Sequence, residues 1–139
     1  MLETAFNSRH AGESGGAPTV SVAICAYTMQ RWHELLRAVE SIREQTVEPL
    51  EIVLVIDHNP QLAERAMREI HGVRVLDNAS TQGLSGARNT AVLAANGEII
   101  AFLDDDAHAA PEWLATLLPC YVDPDVIGVG GPVYPCLLY

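Results

Sequence analysis

The sequence predicts an α/β domain with a mainly parallel sheet and helices on both faces, a Rossmann-like arrangement. Short, continuously apolar runs alternate along the chain with segments in which apolar residues recur at helical spacing. Strands that are apolar on both faces are typical of parallel sheets covered by helices on each side. The connections between these segments are short, and 139 residues can bury one hydrophobic core.

Two strands and two helices are predicted in the first half of the chain. The run VSVAICAY at 20–27 indicates a buried strand, and residues 30–45 carry apolar side chains at helical spacing. The run EIVLVI at 51–56 indicates a second buried strand. Asn59 then precedes Pro60, and this pair is typical of a helix N-cap followed by proline at the first helical position.

Three strands and two helices are predicted in the second half. Gly97 is expected to cap the first of these helices, because glycine tolerates the left-handed conformation that ends many helices. Residues 1–18 are rich in Gly, Ser, Ala and Glu, so we expect a flexible tail before a domain at 19–139. In chain order the predicted segments are a strand at 73–76, a helix at 84–96, a strand at 98–103, a helix beginning at Pro111 and a fifth strand at 126–131.

The charge of the chain argues against nucleic acid as a partner. The formal net charge is −10, and the eight basic residues are scattered arginines that form no basic stripe. Nucleic-acid binding needs such a stripe to contact the phosphate backbone. If this acidic protein binds an anionic ligand, we expect a divalent cation between the two.

The cysteines and the hydropathy pattern predict a cytoplasmic protein without a transmembrane segment. Cys25, Cys120 and Cys136 are odd in number and form no C-x-x-C pair, which is typical of a reducing compartment. No apolar run approaches the roughly 20 residues that a membrane-spanning helix needs. Cys25 lies within a predicted strand, so we expect a core residue there rather than a nucleophile.

Carboxylates cluster where the later predicted strands end. Asp57 and Asp77 each follow a strand, and the fourth strand runs into Asp104, Asp105 and Asp106. Open parallel sheets bind ligands beyond the carboxyl ends of their strands, so these side chains are candidates for a site. Turn formation or helix capping explains Asp57 or Asp77 equally well, but a cap needs one carboxylate and not three in a row.

The three consecutive aspartates predict a divalent cation such as Mg²⁺ or Mn²⁺. If strand geometry continues, Asp104 and Asp106 point to one face of the sheet and Asp105 points to the other. Neighbouring carboxylates raise each other's pKa, and a hard cation with oxygen ligands removes that repulsion. His108 is close enough in sequence to be a further ligand, although a histidine beside a loop is more often solvated.

The aspartate cluster fits two kinds of site, the metal–diphosphate site for a nucleotide-sugar and the acidic pocket of a phosphatase or response-regulator-like domain. The second kind needs aspartates after the first strand and a lysine near a later one. Here the first strand ends in Ala26-Tyr27-Thr28, and the chain has no lysine. A dinucleotide site needs G-x-G-x-x-G after the first strand, whereas Gly83 to Gly86 is G-x-x-G and follows the third strand.

A known family carries similar segments in the same order. The N-terminal, nucleotide-binding half of family 2 inverting glycosyltransferases of the GT-A fold resembles VSVAICAYTMQRWHELLRAVESI, then EIVLVIDHN, then NASTQGLSGARNTAVLAANGEIIAFLDDDA. The resemblance runs from about Val20 to the last residue. It implies a metal-dependent glycosyltransferase that moves a sugar from a nucleotide-diphosphate donor to an acceptor hydroxyl with inversion.

The resemblance implies roles for residues near the strand ends. Ala26, Tyr27 and Thr28 match positions that contact the nucleoside, with the ring of Tyr27 near the base. Asp57 matches an acidic residue that accepts a hydrogen bond from the base, and Arg88 matches a position near the base and the diphosphate. Many family members have Pro-Thr-Tyr-Asn where this chain has Cys-Ala-Tyr-Thr, which leaves the choice of base open.

The aspartate cluster matches the D-x-D motif of the family. The resemblance implies that Asp104 lies near the ribose or the metal and that Asp106 ligates the metal. Asp105, the middle residue, is expected to belong to the nucleotide-sugar site. The implied metal ligands are therefore Asp104 and Asp106, with Mg or Mn as the cofactor.

The resemblance also implies a second half that binds the acceptor and supplies an acidic general base. We therefore expect the domain at 19–139 to be incomplete, and the general base to lie beyond Tyr139. The apolar ending Leu137-Leu138-Tyr139 is expected at an exposed edge that promotes self-association. The alternative is a catalytically silent nucleotide-binding or interaction module.

Overall fold

The computed structural model describes residues 16–135, so the apolar ending at 137–139 and all but the last three residues of the predicted tail lie outside the described residues. Strands and helices alternate along the described part. Their bounds are β1 Val20–Ala26, α1 Trp32–Arg43, β2 Glu51–Ile56, α2 Pro60–Glu69, β3 Arg74–Asp77, α3 Leu84–Ala94, β4 Ile99–Asp104 and α4 Trp113–Leu117. Short 3-10 turns at Met29–Arg31 and Leu118–Val122 precede α1 and follow α4.

The four strands form one sheet in the order β3-β2-β1-β4. All neighbouring strands are parallel, as the apolar runs predict. The pairing brings the strand ends to the same level, because Ala26 pairs with Ile56 and Cys25 pairs with Asp104. The residues that follow β1, β2 and β4 therefore meet at one edge of the sheet.

Both faces of the sheet pack against helices. Ile24 and Leu35 belong to a buried cluster that joins one face to α1, α2 and α4. Val55 belongs to a second buried cluster, in which the other face packs against Ala87 and Ala91 of α3. The predicted α/β fold class is therefore confirmed. None of the helices in residues 16–135 is long and apolar enough to span a membrane.

The helix ends follow the sequence signals in one case and not in another. The side chain of Asn59 accepts a hydrogen bond from the backbone N–H of Leu62 at 3.1 Å, and proline follows it as the first helical residue, as predicted. The prediction that Gly97 caps α3 is wrong, because α3 ends at Ala94. A Cβ on Gly97 would lie 2.5 Å from the backbone nitrogen of Ser21. Close packing against β1, rather than capping, therefore requires glycine there.

The predicted fifth strand at 126–131 is wrong. These residues pair with no strand in the described part of the chain, and Ile127 is 99% exposed. Three of the six residues are glycines, which lose much backbone entropy in a strand and offer no side chain to pack. Without a packed face, this apolar run stays irregular.

The amino-terminal edge of the sheet is closed by a polar network around Glu51. Its carboxylate accepts hydrogen bonds from the Ser21 hydroxyl at 2.8 Å, from the backbone N–H of Asn96 at 2.7 Å and from the Arg74 guanidinium at 2.8 Å. Burial favours the neutral acid, but these bonds outweigh it and lower the pKa of Glu51. The carboxylate of Glu51 is therefore satisfied by groups of the chain itself.

Candidate functional site

A cleft of about 640 Å³ opens at the carboxyl ends of β1, β2 and β4. Its lining comes from these strand ends, from the turn before α1 and from the beginning of α3. Of the residues to which the resemblance assigns roles, Thr28 and Arg88 do not line it. The lining residues are Cys25, Ala26, Tyr27, Arg31, Asp57, Gln82, Gly83, Leu84, Ala87, Asp104, Asp105 and Asp106.

Three hydrogen bonds hold the carboxylate of Asp57 just after β2. Oδ1 accepts from Nδ2 of Asn78 at 2.7 Å and lies 2.8 Å from Nδ1 of His58. Oδ2 accepts from the backbone N–H of Gly83 at 2.9 Å. Burial opposes ionisation, but these bonds outweigh it and lower the pKa of Asp57. Asp57 is therefore a charged acceptor at neutral pH, fixed in one orientation.

Asn78 connects Asp57 to the loop that precedes α3. Its amide nitrogen also donates to the carbonyl of Thr81 at 3.0 Å. Its amide oxygen accepts from the backbone N–H of Ser80 at 2.9 Å and from the hydroxyl of Thr90 at 2.8 Å. Both donor hydrogens and both acceptor positions of this buried amide are therefore used.

Two glycines allow the loop before α3 to come close to its neighbours. Gly83 has a φ of +119°, which favours glycine, and this backbone directs its N–H to Asp57. A Cβ on Gly86 would lie 1.8 Å from the carbonyl oxygen of Thr81. The shape of this wall of the cleft therefore depends on residues that have no side chain.

The end of β1 places an aromatic ring at the cleft. Tyr27 is 56% exposed, and the Cζ of Arg31 lies 5.7 Å from the ring centroid, within the range of a cation–π interaction. Ala26 is buried beside Tyr27 and also lines the cleft. Thr28 instead caps the following 3-10 turn, because its hydroxyl accepts a hydrogen bond from the backbone N–H of Gln30 at 3.2 Å.

The three aspartates form a turn rather than a continued strand. β4 ends at Asp104, and the backbone N–H of Ala107 donates to the carbonyl of Asp104 at 3.0 Å. The side chains of Asp104 and Asp106 are 64% and 48% exposed, whereas that of Asp105 is 6% exposed. Asp105 therefore differs from its two neighbours, as predicted, and the difference is in burial. The predicted cause is wrong, because the strand does not continue beyond Asp104.

Each aspartate of the turn contacts an arginine. Nη1 of Arg31 lies 3.0 Å from Oδ1 of Asp105 and 3.4 Å from Oδ2 of Asp106. Nη2 of Arg88 lies 3.3 Å from Oδ1 of Asp104. Arg88 thus reaches the aspartate cluster from α3, although it does not line the cleft.

Asp105 has a buried oxygen without a partner. Its Oδ2 makes no hydrogen bond within the described residues. Burial raises the pKa of Asp105, and the contact with Arg31 opposes that rise only in part. A buried acceptor without a partner costs free energy. A ligand that supplies a hydrogen bond or a positive charge would remove this cost.

The turn offers carboxylate oxygens of the kind that a hard divalent cation takes as ligands, but not a complete set of them. The donor set consists of carboxylate oxygens, which Mg²⁺ and Mn²⁺ prefer. In residues 16–135, no three His, Cys, Asp or Glu side chains are arranged to hold a metal ion. The exposed His108 belongs to no such group. Mg²⁺ commonly takes one or two carboxylates together with substrate phosphates, which matches this incomplete set.

Two other residues that the sequence analysis considered, Cys25 and Asp77, are assigned no role in ligand binding. Burial raises the pKa of the Cys25 thiol to about 11, and Arg88 offsets this rise only in part. The thiol is therefore protonated at neutral pH, the form that is a weak nucleophile. Cys25, predicted to be a core residue, is half-buried against the second cluster and also lines the cleft. Asp77 is exposed at the end of β3 and does not line the cleft.

Sequence reasoning missed residues that hold the site together. Arg31 is one of the scattered arginines. Its position four residues after Tyr27 is the one local feature of the sequence that suggests it lies near the strand end. Asn78 directly follows β3, so attention to every polar residue at a strand end would have found it. Gln82 and Leu84 line the cleft on either side of Gly83 and carry no recognisable signal.

The fold and the cleft together define the class of protein. A parallel sheet with helices on both faces is the arrangement of GT-A glycosyltransferases, and the similar solved structures share this fold. The family described as Glycosyl transferase family 2 matches residues 21–137. The chain belongs to this family, as the order of its motifs predicts.

Relatives agree with this family assignment. Glucosyl-dolichyl phosphate glucuronosyltransferase of Haloferax volcanii is 38% identical over 120 residues, which is 84% of this chain and 38% of that protein. The mannosyltransferase PcManGT from Pyrobaculum calidifontis, solved with GDP-Man and Mn²⁺, is 25% identical over 73% of this chain and 33% of its own, with a TM-score of 0.56. S. aureus TarS 1-349, solved with UDP-GlcNAc, is 22% identical over 83% of this chain and 37% of its own, with a TM-score of 0.60, and shows the fold alone. The chain thus spans well under half the length of these relatives.

Proposed function

We propose that this chain carries the donor site of a metal-dependent glycosyltransferase that takes its sugar from a nucleotide diphosphate. One observation carries the proposal: Tyr27, Asp57 and the turn Asp104–Asp106 come from three strand ends and line one cleft. The complex of the mannosyltransferase with GDP-Man and Mn²⁺ supports a nucleotide-sugar and a divalent cation as the ligands.

The nucleoside end of the cleft consists of Tyr27, Asp57 and Gly83, and the buried Asn78 supports it through its bond to Asp57. In this proposal, Asp57 accepts a hydrogen bond from the base, because its ionised carboxylate is held in one orientation by its neighbours. The exposed ring of Tyr27 offers a face on which a base can stack. An acceptor at this position suits a base with a ring N–H donor, such as the imide N–H of uracil, the base proposed here. Ala26 and Thr28 adjoin Tyr27 and are proposed to contact the nucleoside.

The acidic end of the cleft consists of Arg31 and the turn Asp104–Asp106. Asp104 and Asp106 would hold Mg²⁺ or Mn²⁺, which neutralises the negative charge that the departing diphosphate develops. Asp105 contributes the buried oxygen that lacks a partner in the described residues. Arg88 contacts Asp104 from α3, and its proposed role near the diphosphate acts through this contact.

The transfer itself would join the sugar to an acceptor hydroxyl with inversion. That step needs a general base to take the proton of the hydroxyl. The carboxylates that follow the turn, Glu112, Asp123 and Asp125, do not line the cleft, so none of them is assigned this role. The base beyond Tyr139, the cytoplasmic location and the self-association stay predictions.

Calorimetric titration of the purified chain tests the donor site. Uridine diphosphate and guanosine diphosphate are each titrated with and without Mn²⁺, and binding that requires the cation is the expected result. The absence of any nucleotide binding would contradict the donor site, whereas cation-independent binding would remove the metal from the proposal. A parallel assay of sugar transfer separates a transferase from a catalytically silent nucleotide-binding module.

A further inference from the structure

Arg31 is the one basic residue among those that line the cleft. It ends the 3-10 turn after β1 and lies between the ring of Tyr27 and the acidic turn. A single nitrogen, Nη1, contacts both Asp105 at 3.0 Å and Asp106 at 3.4 Å. The guanidinium therefore lies between the two features that the proposed function assigns to the base and to the cation.

The two contacts of Arg31 are unequal. Its bond to Asp105, at 3.0 Å, joins a carboxylate that is 6% exposed, so water screens this pair less than it screens the contact with Asp106. Its contact with Asp106 is longer, and both side chains are about half-exposed, so this contact is weak. Arg31 is therefore anchored on Asp105 and can leave Asp106 at a small cost in free energy.

An independent observation indicates that a ligand completes this end of the cleft. Oδ2 of Asp105 is buried and has no partner among residues 16–135, although Oδ1 of the same carboxylate is bonded to Arg31. The Asp105 carboxylate of this pair is thus half satisfied by the described residues. A positive charge or a donor group at the turn would supply the missing interaction.

We propose that Arg31 is a positioning residue that exchanges partners when the donor binds. Within the chain it contacts both Asp105 and Asp106. When Asp106 ligates the divalent cation, Arg31 keeps Asp105 and contacts the diphosphate of the donor instead of Asp106. This inference rests on the proposed function, because the donor must carry a diphosphate. A guanidinium has five donor hydrogens and binds phosphate well, so one side chain can bond Asp105 and a phosphate together.

The exchange predicts effects of opposite sign from one substitution. Arg31→Gln removes the positive charge that competes with a cation for Asp106. Mn²⁺ alone should therefore bind roughly two- to fivefold more tightly, the size of an exposed ion pair. At saturating Mn²⁺, uridine diphosphate should bind about 10- to 100-fold more weakly, because a charge-assisted hydrogen bond to phosphate is lost. A residue that only supports the fold would weaken both ligands together.

Inorganic pyrophosphate identifies the part of the donor that Arg31 contacts. At saturating Mn²⁺, Arg31→Gln should weaken pyrophosphate by the same factor as uridine diphosphate. If only the nucleotide is weakened, Arg31 acts on the base through Tyr27, and the exchange is wrong. Arg37→Gln is the matched control, because Arg37 is an exposed arginine of α1 outside this cleft, and it should change none of the three affinities.

Arg31→Lys keeps the inference testable if the glutamine variant does not fold. A lysine keeps the charge but cannot bond a carboxylate and a phosphate with a planar fork. Mn²⁺ alone should bind as to the wild type, while pyrophosphate should bind more weakly, as measured by calorimetry. If the affinities for Mn²⁺ and for pyrophosphate fall by the same factor, or if neither affinity changes, the exchange is wrong. If the wild type binds Mn²⁺ and pyrophosphate but no nucleotide, the proposed function is wrong. The Mn²⁺ and pyrophosphate affinities of the variants then still test the exchange at Asp106.

Discussion

The two ends of the cleft differ in how far the chain satisfies its own polar groups. At the nucleoside end, the carboxylate of Asp57 has three partners and the amide of Asn78 uses every position it has. At the acidic end, a buried oxygen of Asp105 has no partner in the described part of the chain. Hydrogen bonds lower the pKa of Asp57 against the effect of burial, whereas burial raises the pKa of Asp105.

Under the proposed function, the nucleoside end needs no ligand to complete its hydrogen bonds, whereas the acidic end gains an interaction from one. A fully bonded polar network fixes its shape at no further cost on binding. A cluster of carboxylates with too little positive charge gains most from a cation. Substitutions at the nucleoside end should therefore act on folding as well as binding, and substitutions at the acidic end should act mainly on binding.

The largest effect is expected from Asp106→Ala at the acidic end. The variant should lose Mn²⁺-dependent nucleotide binding, because a hard cation needs this carboxylate, and Asp104→Ala should weaken the same binding to a lesser degree. The free energy of unfolding of Asp106→Ala should differ from that of the wild type by less than about 0.5 kcal/mol, since the Asp106 side chain is half-exposed. Calorimetry and denaturant unfolding measure the two quantities. Asp125→Ala, an exposed aspartate outside the cleft, is the control. Unchanged Mn²⁺-dependent binding by Asp106→Ala would remove the D-x-D assignment.

The next effect concerns the loop of the nucleoside end. Gly86→Ala puts a Cβ within 1.8 Å of the Thr81 carbonyl oxygen, so the backbone of the loop must move. We expect the free energy of unfolding to fall by about 1–3 kcal/mol, the usual cost of overpacking. Denaturant unfolding gives the value. Gly128→Ala serves as the control because no heavy atom lies within 4 Å of the new Cβ. Equal unfolding midpoints for the two variants would show that the loop does not need its close approach to α3.

Asp57→Asn tests whether the nucleoside end can be separated from the acidic end. The new side chain has an NH₂ group where the carboxylate had an oxygen. This group must face either the backbone N–H of Gly83 or the donors that contact Oδ1, so a buried donor loses its acceptor. Uridine diphosphate affinity and stability should each fall by roughly 1–3 kcal/mol. Pyrophosphate with Mn²⁺ should bind as to the wild type, because its contacts are at the other end. Equal weakening of both ligands would mean that the two ends are not independent, and a wild-type preference for guanosine diphosphate would contradict a pyrimidine pocket.

The smallest effect expected is on the pH dependence of stability. The pKa of Asp57 in the folded chain lies below its ordinary value of 3.8, so its ionised form stabilises the fold. That contribution is fully present above pH 4 or so and is lost as the pH falls through the lowered pKa. The difference in unfolding free energy between the wild type and Asp57→Asn should therefore shrink on acidification below about pH 4. A constant difference down to pH 2, measured by denaturant unfolding, would show that the hydrogen bonds to Asp57 do not favour its ionised form.

Much of the fold follows from local patterns in the sequence. The apolar runs that became β1 and β2 are buried on both faces, and only a parallel sheet with two helical layers buries such strands. The fifth predicted strand shows the limit of this reasoning. An apolar run becomes a strand only where a neighbouring strand and a packed face exist, and the glycines at 126–131 supply no side chains for such packing.

The position of the candidate site was equally predictable, because in a parallel sheet the strand ends collect at one edge. Tyr27, Asp57 and the three aspartates could be named from that rule and from the resemblance to the family. What the rule does not give is which of these groups is satisfied and which is not. That depended on Asn78, whose amide contacts residues on three different segments.

By itself, the sequence determined the strands, the helices and the edge at which they present polar side chains, because apolar periodicity and capping act over a few neighbouring residues. Only the tertiary structure decided that Arg31 meets Asp105 and Asp106, which lie 74 and 75 positions later in the chain. It also decided that Asp105, and not its neighbours, is buried. Both outcomes depend on the register between β1 and β4 and on the turn after each strand. Register is fixed by the packing of the whole sheet, so no local stretch of sequence contains it.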